Sequence, residues 1–194
     1  MTKLPLLMVV LVPMLGLAGC GGPPTEESMT FAEQLDSGRA MYVRNIALPY
    51  TSMAVLPTVG SVRYDGYVIS DLLYNGVVGN TVSGTLTLNA NFANDAITGS
   101  ATDFVDLSES AYTGTLNISG GSVDRTLDPI VDYTISAGIG GVLTGADATV
   151  YTVDGAIRAD FLGAGYQAIY GLVDGTATST NGVATLEGEI IAER

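Results

Sequence analysis

The sequence of 194 residues contains no histidine and no tryptophan, a single cysteine, and seven basic residues against 20 acidic ones. Each shortage removes chemistry. Without histidine there is no Ser-His-Asp or Cys-His catalytic pair, no histidine-ligated zinc or iron, and no side chain that titrates unperturbed near neutral pH. One cysteine makes neither an internal disulfide nor a four-cysteine metal site. A formal charge of −13 opposes binding to phosphate backbones, which takes clustered Lys and Arg, so no nucleic-acid partner is expected. At roughly 100–200 residues per domain, the length corresponds to one domain with terminal additions.

What is present begins with a leader. Lys3 precedes an apolar run over residues 4–15 and then small residues, the pattern of a secretory signal. A membrane-spanning helix needs about 20 apolar residues, and Pro5 and Pro13 interrupt this shorter run. Residues 1–19 are therefore expected to be removed. Leu17-Ala18-Gly19-Cys20 resembles the lipobox of bacterial lipoproteins at all four positions, and the resemblance implies a diacylglyceryl thioether on Cys20 with cleavage just before it. The plainer alternative is a small-residue cleavage site beside an incidental cysteine. Acyl chains contribute about 0.8 kcal/mol per buried CH2, so two or three form a strong anchor. Gly21-Gly22 lack the Asp of the inner-membrane retention pattern, which favours the outer membrane or cell surface.

Removal of the leader takes away the only lysine and leaves six arginines against 20 acids, a net charge of −14. Such a body repels anionic head groups, which suits a domain held off the membrane. Residues 20–28 read as its flexible tether, because their Gly, Pro and acidic residues bury too little apolar surface to order themselves. Residues 29–57 read as an entry segment that packs on the main body. Thr30-Phe31-Ala32-Glu33 has capping-box spacing and predicts a short helix from Phe31 to Leu35 or Asp36. Gly38, Pro49 and Pro57 then predict mostly irregular chain over 39–57.

From Gly60 onward the pattern has period two. Leu86, Leu88, Ala90 and Phe92 alternate with Thr85, Thr87, Asn89 and Asn91, which places one row on an apolar face and the other toward water. Comparable segments lie at 61–69, 81–92, 96–105, 111–119, 131–139, 156–161, 167–172 and 183–191. Asn75-Gly76, Gly79-Asn80, Asn94-Asp95, Gly120-Gly121, Gly163-Ala164-Gly165, Asp174-Gly175 and Asn181-Gly182 read as the turns between them. The expected fold is all-β: a single eight-stranded antiparallel up-and-down β-barrel over residues 58–194, preceded by a short helix and irregular segment. Two packed sheets are the alternative. An eight-stranded interior fills with side chains or holds one small ligand. Glycines beside aromatics, such as Gly66, Gly114 and Gly171, point to aromatic rings folded over glycines of neighbouring strands.

Leu56-Pro57-Thr58-Val59-Gly60-Ser61-Val62-Arg63-Tyr64-Asp65-Gly66 resembles the entry into the β-barrel domain of transferrin-binding protein B-like lipoproteins. Residues 84–92 with Ile97-Thr98-Gly99, and residues 155–161, Ala168-Ile169-Tyr170-Gly171 and 188–194, are similar to later strands of that domain. The resemblance covers about residue 56 to the terminus and implies a lipid-anchored barrel. Large members of the family have two lobes, each a handle and a barrel, and grip transferrin through handle loops. Residues 28–57 are too few for a handle. The resemblance therefore implies the barrel and not iron-carrier binding, and no ligand-contact residue is carried over.

Asp103 with Asp106, Asp124 with Asp128, and Asp147 lack the spacing of a calcium loop and suit turns, so no metal is expected. A glycosidase pair needs two carboxyls held in a cleft, and exposed strand faces account for these carboxylates more simply. Gly138-Ile139-Gly140-Gly141 resembles part of a dinucleotide loop without its following helix and reads as a strand-to-turn junction, so no cofactor is expected. The ten tyrosines fit a recognition surface or a core. Arg158 is expected opposite a carboxylate on a neighbouring strand. No catalytic residue is assigned. The expected role is that of a non-enzymatic outer-membrane or cell-surface lipoprotein, held to the membrane through Cys20 and contacting a protein partner there. The alternative is lipocalin-like carriage of a small apolar ligand within the barrel. A membrane-inserted barrel needs an outward apolar band with aromatic girdles, to which four phenylalanines and no tryptophan add little.

Overall fold

A computed structural model describes residues 28–194; the signal segment, Cys20 and nearly all of the tether lie outside the described residues. The described residues form one α-helix, α1 (Phe31–Asn45), a 3-10 turn (Met53–Val55), and eight strands. These are β1 (Ser61–Tyr74), β2 (Val77–Asn91), β3 (Ala96–Asp106), β4 (Ala111–Val123), β5 (Ile135–Thr144), β6 (Val150–Leu162), β7 (Ala168–Ser179) and β8 (Gly182–Glu193). Each strand pairs antiparallel with the next, and β8 pairs back onto β1 to close an up-and-down barrel. The closed form, rather than two packed sheets, is the observed architecture. Closure leaves none of these strands at a free sheet edge.

Side-chain alternation sorts the residues as the period-two pattern requires. Leu86, Leu88, Ala90, Leu116, Ile118, Ile157 and Phe161 point inward and are buried, with Phe92 packed beside them just beyond β2. Their partners Thr85, Thr87, Thr115 and Asn117 lie on the outward face. Each aliphatic or aromatic side chain buried this way contributes roughly 1.5–3 kcal/mol relative to exposure.

The strands are longer than their apolar runs. The glycine-rich stretches read as turns at Gly79-Asn80, Gly120-Gly121 and Asp174-Gly175 sit inside β2, β4 and β7. Gly120, at φ +63°, falls where the β4–β5 register shifts. It is a bulge rather than a hairpin, and an inserted residue with left-handed backbone sharpens the local bend. Gly138-Ile139-Gly140-Gly141 lies in the middle of β5 and not at a strand-to-turn junction. Val131 to Tyr133, read as the start of a strand, belong instead to the connection before β5, and Val131 is 82% exposed.

Aromatic rings do fold over glycines, but at different positions from those expected. A Cβ on Gly79 would meet the Tyr74 ring, and one on Gly84 the Phe104 ring. At Gly66 and Gly171 a Cβ would instead strike a backbone carbonyl of the adjacent strand, that of Ile191 and Arg158 respectively. Tight wall curvature, not ring stacking, requires those two glycines.

The helix runs nine residues beyond the predicted stop at Asp36. Thr30 accepts from the Glu33 amide, and the Glu33 carboxylate accepts from the Thr30 amide, closing the capping box. Gly38 does not end the helix; it lies on the buried face against the barrel, where a Cβ would sit 3.4 Å from Ile69. Phe31, Gln34, Gly38, Met41 and Asn45 form the buried stripe, and this tertiary contact overrides glycine's low helix propensity. The helix lies outside the barrel. Its start is tied to the β3–β4 turn, where the Phe31 amide donates to Glu109 at 2.8 Å. Its end is tied to β8, where Arg44 and Asn45 donate to Glu193 at 2.7 and 2.9 Å.

The chain entry closes the opposite end of the barrel from the β1–β2, β3–β4, β5–β6 and β7–β8 turns. Met53 and Leu56 join the core, and Thr51 donates to the Gly163 carbonyl at 2.6 Å. Arg125 donates to Asp95 and to the carbonyls of Leu56 and Pro57, linking two end loops to the entry segment. Tyr64, wholly buried, donates to the Tyr166 carbonyl at 2.9 Å, and the Arg194 guanidinium lies over the Tyr166 ring at 4.5 Å.

Asp160, on β6, is 3% exposed and accepts from both the amide and the hydroxyl of Thr134, which fixes the end of the β4–β5 connection. Burial pushes its carboxyl above the usual aspartate range despite these two hydrogen bonds. A raised folded-state value means that the native state holds this proton more tightly than the unfolded chain. The cost of the buried charge is therefore fully present above the folded value and fades as pH falls toward about 4. Asp160→Asn retains the Oδ1 acceptor and removes the charge. It is expected to raise the thermal midpoint at pH 7.5, with the gain shrinking as pH falls toward about 4, as read by circular dichroism melts across pH.

Candidate functional site

Two places on the barrel could hold a partner molecule, its interior and its outer wall. The interior is filled at the entry end by Tyr64, Leu88, Phe161, Ile135 and Ile169. Toward the hairpin end a narrow apolar slot remains between Val68, Leu72, Leu116, Leu143 and Val153, with open space of about 30 Å3. That is room for a water molecule or two, since one needs at least 10–15 Å3 by this kind of measure, about a tenth of a small-molecule site. The Ser70 hydroxyl, buried in its wall, has no protein partner. Tyr112 and Tyr151 cover the slot edge to face at 5.9 Å. Burial, then Asp106, hold the Tyr112 phenol well above its usual range. Burial alone would raise Asp106, but hydrogen bonds from Asn80, Ser110, Ser108 and Tyr112 outweigh it and hold that carboxyl low.

The outward face is polar on most of the circumference. Residues facing out from β2, β3 and β4 are mostly Thr, Ser and Asn, with Val105 and two alanines among them. With an apolar interior, this is the reverse of a membrane-inserted barrel, which is apolar outside and polar within. The wall of β7, β8 and β1 departs from that rule. Tyr67 and Ile69 on β1, Ile191 on β8, and Tyr170 and Leu172 on β7 all face outward. The helix covers part of this apolar band. Leu35, Gly38, Arg39 and Tyr42 of α1 form one bank of a cleft of about 240 Å3 whose floor is Tyr67, Ile69, Tyr170 and Ile191. Tyr42 meets Tyr170 edge to face at 5.3 Å.

The cleft continues along the wall into an acidic stretch of about 650 Å3. Here register places like charges side by side: Asp71 is directly opposite Glu187, and Glu187 directly opposite Asp174. Glu189, one outward position along, stands between Ile69 and Leu172. Arg158 stands opposite Leu172 rather than a carboxylate and reaches diagonally to Asp174 on the neighbouring strand, donating to it at 2.6 Å. Asp71 receives the Thr81 hydroxyl at 2.6 Å. Burial and the neighbouring Glu189 hold the Tyr170 phenol above its usual range.

The carboxylates singled out in the sequence are scattered and mostly engaged in turns. Asp124, Asp128 and Asp147 accept the amides of Thr126, Ile130 and Thr149, and Asp103 accepts the hydroxyls of Thr85 and Thr102. Among the described residues, no three acidic or cysteine side chains converge as a metal site. Arg63 pairs with Asp65 on its own strand. Cys20 lies outside the described residues. Sequence reasoning missed the groove, although a signal was present: Val68-Ile69, Leu72-Leu73, Leu172-Val173 and Ile190-Ile191 break the alternation with adjacent apolar residues. Such doublets mark a strand covered on both faces. Comparison with protein-family models and with curated proteins finds no match to this chain.

The row Asp71–Glu187–Asp174 generates a stability prediction. Like charges directly opposite on adjacent strands are destabilising, by roughly 0.2–1 kcal/mol. Glu187→Gln is expected to stabilise the fold by about 0.5 kcal/mol at low ionic strength. Adding salt should erase the difference, as measured by urea unfolding at two salt concentrations.

Proposed function

We propose that this chain is a non-enzymatic bacterial lipoprotein of the outer membrane or cell surface. In this reading a lipid on Cys20 anchors it, and it binds a protein partner through the outer wall of a barrel similar to that of transferrin-binding protein B-like lipoproteins. The observation that carries the reading is the combination of a filled interior with a grooved exterior. An internal space of about 30 Å3 gives no support to carriage of an apolar ligand, which needs roughly 300 Å3 or more. The outer cleft beside α1 offers aromatic and aliphatic side chains of the kind enriched at protein contacts.

The absence of histidine from the sequence and the commitment of Asp124, Asp128 and Asp147 to turn caps favour a binding role over catalysis. The polar outward wall favours a domain that stands in water beside the membrane. The anchor is supported by Leu17-Ala18-Gly19-Cys20 and by the acidic Gly/Pro-rich stretch after it.

Labelled palmitate fed to expressing bacteria is expected to enter the wild-type chain and not Cys20→Ala, and the variant should leave the membrane fraction. Equal fractionation of the two proteins, or no label in the wild type, would contradict the anchor.

A further inference from the structure

The groove beside α1 has a composition that selects its occupant. Its floor is apolar and aromatic, through Tyr67, Ile69, Tyr170 and Leu172. Its open rim is acidic on balance, with Asp71, Asp174, Glu187 and Glu189 against Arg158, which pairs with Asp174, and Arg39 on the helix bank. We propose that this groove binds a short extended cationic segment of another protein, with apolar residues seated on the floor and Lys or Arg against the carboxylates. The inference rests on the protein-binding part of the proposed function and is independent of the lipid anchor.

Two separate observations support this assignment. The first is the break in the outward pattern: Ile69, Tyr170 and Leu172 face out on a barrel whose β2–β4 exterior is mostly Thr, Ser and Asn. The helix accounts for Ile191, which is 6% exposed, but Ile69, Tyr170 and Leu172 remain half-buried in an open cleft. The second is the Asp71–Glu187–Asp174 row. A local arrangement that lowers stability is expected at functional sites; in this row Asp174 has an arginine partner and Asp71 a hydroxyl, while Glu187 faces both carboxylates directly.

Charge complementarity decides between occupants. A second copy brings its own net charge of −14 after leader removal and is repelled. The segment between Cys20 and Ser28 carries Glu26 and Glu27 without a basic residue, so the chain's own tether does not fit. A cationic segment gains on both parts of the groove, because Lys and Arg also stack on tyrosine faces. From the Tyr67 level to the Asp71 level is four residues of strand, about 13 Å. An extended peptide covers that distance with about four residues, alternating apolar residues down and basic residues toward the rim.

The test uses the full chain in detergent and a fluorescein-labelled peptide of about ten alternating lysines and leucines, read by fluorescence anisotropy. Alternating glutamate–leucine and lysine–serine peptides serve as comparisons. The lysine–leucine peptide is expected to bind at least about tenfold more tightly than either, and about fivefold more weakly when salt rises from about 0.05 to 0.5 M. The triple variant Asp71→Asn, Glu187→Gln, Glu189→Gln should lose about tenfold in affinity while melting no lower than wild type. Ile69→Ser with Leu172→Ser should lose a similar factor. The charge-matched control Asp124→Asn, Asp128→Asn, Asp147→Asn, whose turns asparagine also caps, should bind as wild type. Equal loss in that control, or none in the groove triple variant, would overturn the proposal. So would self-association that the groove variants abolish without any peptide binding, which would identify a second copy as the occupant. A Cys20→Ala chain that leaves the membrane yet binds the peptide keeps anchoring and groove binding separable.

Discussion

Pairing of β8 with β1 commits every strand to two faces of different character. A closed eight-stranded wall has an interior just wide enough for side chains, so the inward row of each strand must be apolar and sized to its neighbours. Tyr64, Phe92 and Phe161 meet at ring separations of 5.9–6.0 Å and fill one end, while the entry segment seals it with Met53 and Leu56. The same closure forces backbones into close approach where the wall bends, which is why Gly66 and Gly171 stand against neighbouring carbonyls. Once the interior is filled, the surface left open to a partner is the outer wall.

Much of this was legible in the residues. Alternation of Leu86, Leu88 and Ala90 with Thr85, Thr87 and Asn89 encodes a half-buried strand directly, and eight such segments encode the barrel. The ends of the strands were less readable, because Gly120-Gly121 and Asp174-Gly175 look the same as turns when the neighbouring strand is unknown. Register decides the matter: Gly175 pairs with Gly155, and the two together let β6 and β7 approach. The full length of the helix is hidden in the sequence for a related reason. Gly38 is unfavourable in an isolated helix and favourable against Ile69 and Tyr67, a contact that exists only in the folded chain.

The groove arises from both kinds of information. Apolar doublets such as Leu172-Val173 show that both faces of a strand are covered, but not by what. Only the register places Asp71, Glu187 and Asp174 in one row, since the three are far apart in sequence. The helix supplies the other bank, and its fixed ends at Glu109 and Glu193 hold it along the wall. Burial alone would raise the Glu193 carboxyl, but Arg44 and Asn45 hold it below its usual value, so this attachment is kept at neutral pH and weakens as Glu193 protonates in acid.

The central claim is that this barrel binds on its outer wall and not in its interior. Methyl NMR of the full chain in detergent, titrated with the lysine–leucine peptide, addresses it directly. The account predicts shifts for the methyls of Ile69, Leu172 and Ile191, with those of Leu116, Ile139 and Val153 unmoved. Shifts confined to the interior methyls would contradict it.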